Sequence, residues 1–348
     1  MAGYSSGEQP DAQDVIKLNT NENPYPAAPG VAEALAGFDV SSLRRYPPAT
    51  ALDFRNIIAN THGTVAEQII ATRGGDELLR LVITTFVEPG QPITITDPTY
   101  SLYPVLSQIH DCPNLIVPLL DDWSLPADFA SKANAAQSPL TFLVNPGAPH
   151  GKLLPVSTVL EVAEELNGLL LVDEAYVDFV DPDKGYDLLP HINDYPNLIL
   201  LRTLSKGYSL AGLRLGYGIA QQDLITPMLN KTRDSYNLDA ITQKLGVAAI
   251  EHRDYAAETW IKVRAERKRL ALELTARNFE LIPSQTNFLL VTPPADLAAA
   301  DLYQALKQNG ILVRYFDLPR LTNKLRISIG TPDENNQLLR QLDKQLPK

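Results

Sequence analysis

The chain has 348 residues and one cysteine, Cys112. A lone thiol excludes an internal disulfide and any metal site built on clustered cysteines, and predicts a small buried or half-buried side chain there. The histidines offer no better ligand set: His62, His110, His191 and His252 are scattered at no ligand spacing, and no metal is expected. No uninterrupted apolar run reaches the roughly 18 residues a membrane helix needs, so no membrane partner is expected. The opening MAGYSSGEQP lacks the charged-then-apolar pattern of a secretory signal, which predicts a cytoplasmic location. Basic charge is in short supply as well. With 30 Lys and Arg against 41 Asp and Glu the net charge is -11, which argues against a nucleic-acid partner.

What is present is ordinary for a globular protein, 45% apolar and 20% charged residues, with enough length for two domains. Proline is the exception, since 27 of 348 exceeds the usual ~5%. The opening stretch through Pro29, with LNTNENPYPAAPG, reads as an irregular arm. Short β-rich apolar runs follow at 92–96, 139–144, 168–172, 197–201 and 215–219, and helix-like stretches such as 77–87 and 156–166 lie between several of them. That alternation predicts an α/β fold, a large domain whose mostly parallel central sheet is flanked by helices. Long helical periodicity over 240–277 leads into a smaller α/β C-terminal domain. The expected division is an N-terminal arm at 1–40 that joins the small domain, a large domain at 41–255 and a small domain at 256–348.

Three segments carry chemistry: TRGGDE at 72–77, LLLVDEAY at 169–176 and TLSKGYSLAGLR at 203–214. A strand ending in Asp173 and Glu174 first suggests a nucleotide hydrolase, with GAPHGKL at 147–153 as its phosphate loop. That loop is one residue short, has Leu153 where a magnesium-binding hydroxyl is needed, and loses a backbone donor at Pro149. The alternative uses all three segments. Lys206 sits just after an apolar strand, where α/β sheets place ligands, and a lysine with a lowered pKa there forms a Schiff base. Asp173 is placed to pair with a protonated pyridine nitrogen. Arg214 offers a cationic fork to a phosphate, and Gly74 and Gly75 open a helix whose free N–H groups bind an anion. Together these residues describe a pocket for pyridoxal phosphate.

In that order and spacing the segments resemble the fold-type I pyridoxal-phosphate aminotransferases, and within them the histidinol-phosphate aminotransferase branch. The likeness runs over nearly the full length, through LNTNENPYP, RYPP, RGGDE, DPTYSLY, VDEAYVDF, TLSKGYSLAGLRLGY, GILVRYFDLP and LRISIGT. It implies pyridoxal 5′-phosphate as cofactor, with Lys206 as the Schiff-base lysine and proton shuttle. Asp173 is implied as partner of the pyridine nitrogen, Tyr176 as donor to the 3′ oxygen, and Tyr100 as the ring stacked on the pyridine. Gly75, Asp76, Thr203, Ser205 and Arg214 are implied around the phosphate. Tyr46 is implied to reach it from a neighbouring subunit, hence a homodimer with shared active sites. Arg326 and Arg314 resemble the substrate-anchoring arginines. Asn23 and Tyr25, in the arm, either line the closed pocket or form a turn.

The resemblance also implies the reaction, a ping-pong exchange between glutamate and imidazole-acetol phosphate giving 2-oxoglutarate and histidinol phosphate in histidine biosynthesis. Its small-molecule partners are thus glutamate or 2-oxoglutarate and a phosphorylated imidazole amine or ketone. Aromatic aminotransferase and threonine-phosphate decarboxylase activities remain as alternatives. One loop departs from the pattern. Where the family reads Asn-Asn-Pro-Thr-Gly or Asn-Ala-Pro-Thr-Gly, this chain has Gly147, Ala148, Pro149, His150 and Gly151. The amide that often assists the 3′ oxygen is missing at Ala148, and His150 either fills space or makes a functional contact.

Overall fold

Runs such as LLLVD and LILLRT are apolar at nearly every position, which suits strands covered on both faces. They form the middle of the larger sheet in this computed structural model, which describes Gly3, residues 7–10 and residues 15–346. After a two-residue strand β1 (Ile16–Lys17), that sheet is built from β2 (Ile69–Thr72), β3 (Ile93–Asp97), β4 (Asn114–Pro118), β5 (Leu140–Val144), β6 (Leu169–Asp173), β7 (Leu198–Thr203) and β8 (Gly216–Ala220). Its seven strands lie in the order β2-β8-β7-β6-β5-β3-β4. All neighbours are parallel except the two pairs that involve β8. The expected mostly parallel, helix-flanked sheet is therefore present.

A second, antiparallel sheet follows, with β9 (Glu280–Leu281), β10 (Phe288–Thr292), β12 (Arg314–Tyr315) and β13 (Leu325–Ser328) in the order β12-β13-β10-β9. Strand β11 (Ile311–Leu312) pairs instead with β1, in parallel, Ile16 opposite Ile311. The arm is thus not wholly irregular. Ile16 packs on the main core and the segment donates its backbone to a C-terminal strand. Residues 1–2, 4–6 and 11–14 of the expected arm lie outside the described residues.

The helical region over 240–277 is two helices, Ala240–Glu251 and Arg253–Thr275, separated at His252. Asp239 caps the first by accepting from Thr242 N–H. The helix Pro29–Ala36 packs on it, and Gly30 permits the approach, because a Cβ there would fall 2.3 Å from the His252 ring. A capping box of Thr331 and Glu334 starts the final helix, Pro332–Gln345. Cys112 is buried, with its thiol pushed up by burial.

Strand order positions the site. The chain runs from β3 outward to β4, then returns to the other side of β3 as β5. Crossovers leave a sheet in opposite directions at such a point, and a crevice opens beyond the carboxyl ends of the strands. The residues that follow β3, β5, β6 and β7 meet there.

Candidate functional site

A cavity of about 480 Å³ occupies this crevice, and Gly75, Asp76, Tyr100, Asp173, Tyr176, Thr203, Ser205, Lys206 and Arg214 all line it. Arg314 and Arg326 line it from the second sheet. Of the site residues expected from sequence, Gly74, Tyr46, Asn23 and Tyr25 are not in this lining.

Lys206 follows β7 by three residues, and its Nζ donates to the carbonyl of Thr20 at 3.0 Å. Burial lowers this amine to about 8, with further lowering from the Arg326 guanidinium, while Glu22 acts the other way. Asp173 ends β6. It accepts from the Tyr103 phenol at 2.9 Å and from the Ala175 N–H at 3.0 Å. Burial raises its carboxyl to about 6; the two hydrogen bonds pull down, and the charges of Asp76 and Glu174 push up. Both donors are neutral. A carboxyl so placed becomes a stable anion when a ligand brings a cation against it.

The other end of the cavity suits an anion. The helix Gly74–Phe86 begins without a side-chain cap, leaving N–H groups of its first turn to face a ligand. Gly74 has φ +72°, and a Cβ on it would lie 2.8 Å from Arg214 Nη2. A Cβ on Gly75 would lie 2.9 Å from Leu201. The Arg214 guanidinium donates to Ser205 Oγ and to Asp76 Oδ2, each at 3.3 Å. Thr203 Oγ1 donates to Ser205 Oγ at 3.0 Å, completing a cluster of hydroxyls, guanidinium and helix terminus. An anion cradle, an amine of lowered pKa and a buried acid that favours a cation fit a phosphorylated pyridine aldehyde, pyridoxal 5′-phosphate. Lys206 would hold its aldehyde carbon, Asp173 its ring nitrogen and the Arg214 cluster its phosphate.

The Tyr176 phenol accepts from Asn21 Nδ2 at 2.9 Å, and its ring meets Phe288 edge-on. Tyr100 donates to Asp76 at 3.4 Å and packs edge-on against Tyr103. Arg326 Nη2 donates to the Asn19 carbonyl at 3.1 Å. Its guanidinium also lies 5.3 Å from the centre of the Phe316 ring, and the Arg314 guanidinium lies 5.2 Å from the same ring. Tyr46 is 80% exposed and stacks on Tyr236 at 4.4 Å. Asn23 donates to Thr259 and to the Gly207 carbonyl and accepts from the Tyr25 N–H, a turn-forming arrangement. Lys262 lies over the Tyr25 ring.

Sequence reasoning missed Tyr103, Asn21 and Thr20. Tyr103 had a signal, a second tyrosine three residues after Tyr100 in DPTYSLY. Asn21 and Thr20 had only their place in an arm rich in asparagine. His150 is buried and stacks on Trp123, with ring centres 5.4 Å apart. Among the described residues no group of three or more His, Cys, Asp and Glu is arranged to hold a metal, and no helix is long and apolar enough to cross a membrane.

A mostly parallel sheet with a lysine, an acid and an anion cradle at its carboxyl edge defines a class of group-transfer enzymes. The chain belongs to the aminotransferase class I and II family, whose model matches residues 13–342. It is 41% identical over 343 residues to histidinol-phosphate aminotransferase 1 of Trichormus variabilis, covering 98% of this chain and 95% of that one. To histidinol-phosphate aminotransferase 1 of a Nostoc species it is 43% identical, covering 98% and 94%. Among solved structures, histidinol-phosphate aminotransferase from Sinorhizobium meliloti in complex with pyridoxal-5′-phosphate superimposes with a TM-score of 0.86. That structure shares 27% identity over 95% of this chain and 90% of its own.

Proposed function

We propose that this chain is a pyridoxal-phosphate-dependent aminotransferase that exchanges the amino group between L-glutamate and imidazole-acetol phosphate. Its products are 2-oxoglutarate and L-histidinol phosphate, in histidine biosynthesis, by a ping-pong cycle in the cytoplasm. The names carried by its relatives support the substrate. The observation that carries the reading is the pair Arg314 and Arg326, set about one phenyl ring in the same cavity as Lys206. A ping-pong enzyme receives two substrates in turn at one site. Two guanidiniums suit the carboxylate of one and the phosphate of the other.

When bound, pyridoxal phosphate supplies the electron sink that acidifies the proton on the substrate's α-carbon. The protein's own groups do the rest. Asp173 keeps a cation at the ring-nitrogen position, and Tyr103, whose phenol is buried and resists ionisation, keeps donating to it. Lys206, lowered to about 8, has enough neutral amine near neutral pH to take the α-proton and enough basicity to hold it for return. Tyr176, held by Asn21, would donate its phenol proton to the cofactor's 3′ oxygen. Arg314 and Arg326 fix the substrate's anionic end, so that its α-carbon stays within reach of Lys206.

The active unit in this reading is a homodimer. Tyr46 and its neighbours Leu35, Val40, Leu43 and Leu52, with Tyr236, expose large apolar side chains. Such a surface suits burial against a second copy, with Tyr46 reaching the partner's anion cradle. Mixing Tyr46→Ala with Lys206→Ala chains should then restore activity that neither has alone.

The central test is spectroscopic. Addition of L-glutamate to the cofactor-loaded protein should remove its yellow absorbance, and imidazole-acetol phosphate should restore it. Phenylpyruvate and L-threonine phosphate serve as parallel arms. No change with glutamate sinks the aminotransferase reading, and carbon dioxide release from threonine phosphate replaces it with the decarboxylase. Lys206→Ala should lose both the absorbance and turnover.

A further inference from the structure

The loop that departs from the family pattern has its own packing logic. His150 is 6% exposed, and a Cβ on Gly147 would lie 2.0 Å from its ring. The imidazole therefore occupies space that a side chain at 147 would fill. Its Nδ1 accepts from the Lys152 N–H at 3.1 Å, and burial lowers its pKa to about 3, so the ring is neutral. Neutrality matters, because the ring lies nearly parallel to the Trp123 indole, at 18°, and the same indole carries the Arg320 guanidinium 4.5 Å from its centre. A protonated imidazole there would repel the guanidinium.

Arg320 belongs to the C-terminal part of the chain and is bound to the large sheet. Its guanidinium donates to the carbonyls of Leu119 at 2.7 Å, Leu120 at 2.8 Å and Asp97 at 3.4 Å, at the ends of β3 and β4. One residue on, Leu321 joins Leu119, Trp123 and Leu290 in a small buried cluster apart from the main core, and Phe316 packs against that cluster. Phe316 is the ring beside which Arg314 and Arg326 both lie. The indole thus touches the departing loop and anchors the segment that carries Phe316.

We infer that His150, Trp123 and Arg320 are positioning residues for the substrate's anion, acting through Phe316 on Arg314 and Arg326. The inference rests on the proposed role of those two arginines. The loop change at Gly147 and His150 then alters substrate binding at a distance, with no contact to the reacting atoms. A cation is attracted to the face of an indole, and this contact, with the three carbonyl hydrogen bonds of Arg320, holds the segment in register.

The test compares Trp123→Leu, His150→Thr and Arg320→Gln with Trp123→Phe, which keeps an aromatic face. Loss of uniform binding raises KM with kcat unchanged, so KM for histidinol phosphate should rise roughly tenfold in Trp123→Leu and about threefold in the other two, with kcat within about twofold. Trp123→Phe should return KM to within about twofold of the wild type. An unchanged KM in all three variants, or a fall in kcat at constant KM, overturns the inference. Should Trp123→Leu fail to fold, Arg320→Gln and His150→Thr decide it. If the wild type does not turn over histidinol phosphate, the substrate reading fails by itself. Titration with inorganic phosphate, read by its effect on the absorbance of the bound cofactor, then tests the relay: weaker binding in the variants supports it and equal binding refutes it.

Discussion

The phenol of Tyr103 donates a hydrogen bond of 2.9 Å to Oδ2 of Asp173, a residue 70 positions further along the chain. Tyr103 lies in the helix Leu102–Ile109, fully buried, and also packs against Tyr100 and Phe142. The bond favours the charged carboxylate against the burial that raises Asp173 to about 6. Tyr103→Phe removes the donor and keeps the ring. A lost hydrogen bond to a charged group is worth about 1.5–3 kcal/mol, and 1.36 kcal/mol is one pKa unit. Asp173 should therefore titrate about one unit or more higher in the cofactor-free variant. Since the proposed ring-nitrogen pairing needs the ionised acid, cofactor affinity should fall as pH drops through about 6 in the wild type, and at higher pH in Tyr103→Phe. Cofactor binding titrated by absorbance from pH 5 to 8 checks this; coincident curves would contradict it.

Gly147 and His150 form one unit, since a Cβ at 147 meets the imidazole at 2.0 Å. The ring has little freedom to move, being buried against Trp123. Gly147→Asn alone should cost about 2–3 kcal/mol through overpacking. The double variant Gly147→Asn with His150→Thr should regain most of that loss. Denaturant unfolding of the two variants and of His150→Thr gives the coupling, and simple additivity would show that the two positions are independent.

Much of this architecture is legible in the sequence, and each exception has a physical cause. The strands β3, β5, β6, β7 and β8 announce themselves as apolar runs because both faces are covered. Strand β4 does not, since NLIVP lies at the sheet edge, half exposed and ending in Pro118. Strand β2, only IIAT, sits between a short helical turn and the glycine turn. The site divides in the same way. Lys206, Asp173 and Arg214 are recognisable from what precedes and follows them locally. Tyr103 and Asn21 gain their roles from partners 70 and 155 residues away, which the tyrosine pair of DPTYSLY and the asparagines of the arm do not identify.

Acid should destabilise the protein partly through His150. Its folded pKa is lowered by burial to about 3, below the ~6.5 of an unfolded chain. The unfolded state therefore takes the proton first. Stability from the neutral ring is fully present above pH ~6.5 and is lost progressively as pH falls toward 3. His62, also lowered by burial to about 3, adds in the same direction, whereas Asp173, raised by burial to about 6, acts in the opposite one. Comparison with His150→Thr isolates the first contribution. Between pH 6.5 and 4.5 the cofactor-free wild type should lose about 2–3 kcal/mol more than the variant. Urea unfolding at the two pH values measures the difference, and equal losses would show that His150 is protonated in the folded state as readily as in water.

The arm should act on chemistry through Asn21, and on stability through Asn23. Asn21, at φ +56°, donates from Nδ2 to the Tyr176 phenol at 2.9 Å, and its Oδ1 accepts from Ser328 at 3.1 Å. Aspartate tolerates the same left-handed backbone and keeps the acceptor. Asn21→Asp therefore removes only the donor and replaces it with an anion that draws the Tyr176 proton to itself. In the role proposed for Tyr176 the phenol then donates less to the cofactor's 3′ oxygen, and kcat should fall about tenfold or more, for a charge-assisted bond worth ~1.5–3 kcal/mol. Asn23→Ala breaks bonds to Thr259, Gly207 and Tyr25 outside the cavity lining. It should cost about 1 kcal/mol of stability and change kcat by less than about threefold. Steady-state kinetics with glutamate, beside thermal unfolding of both variants, separates the two roles. A larger kcat loss in Asn23→Ala than in Asn21→Asp would reverse the assignment.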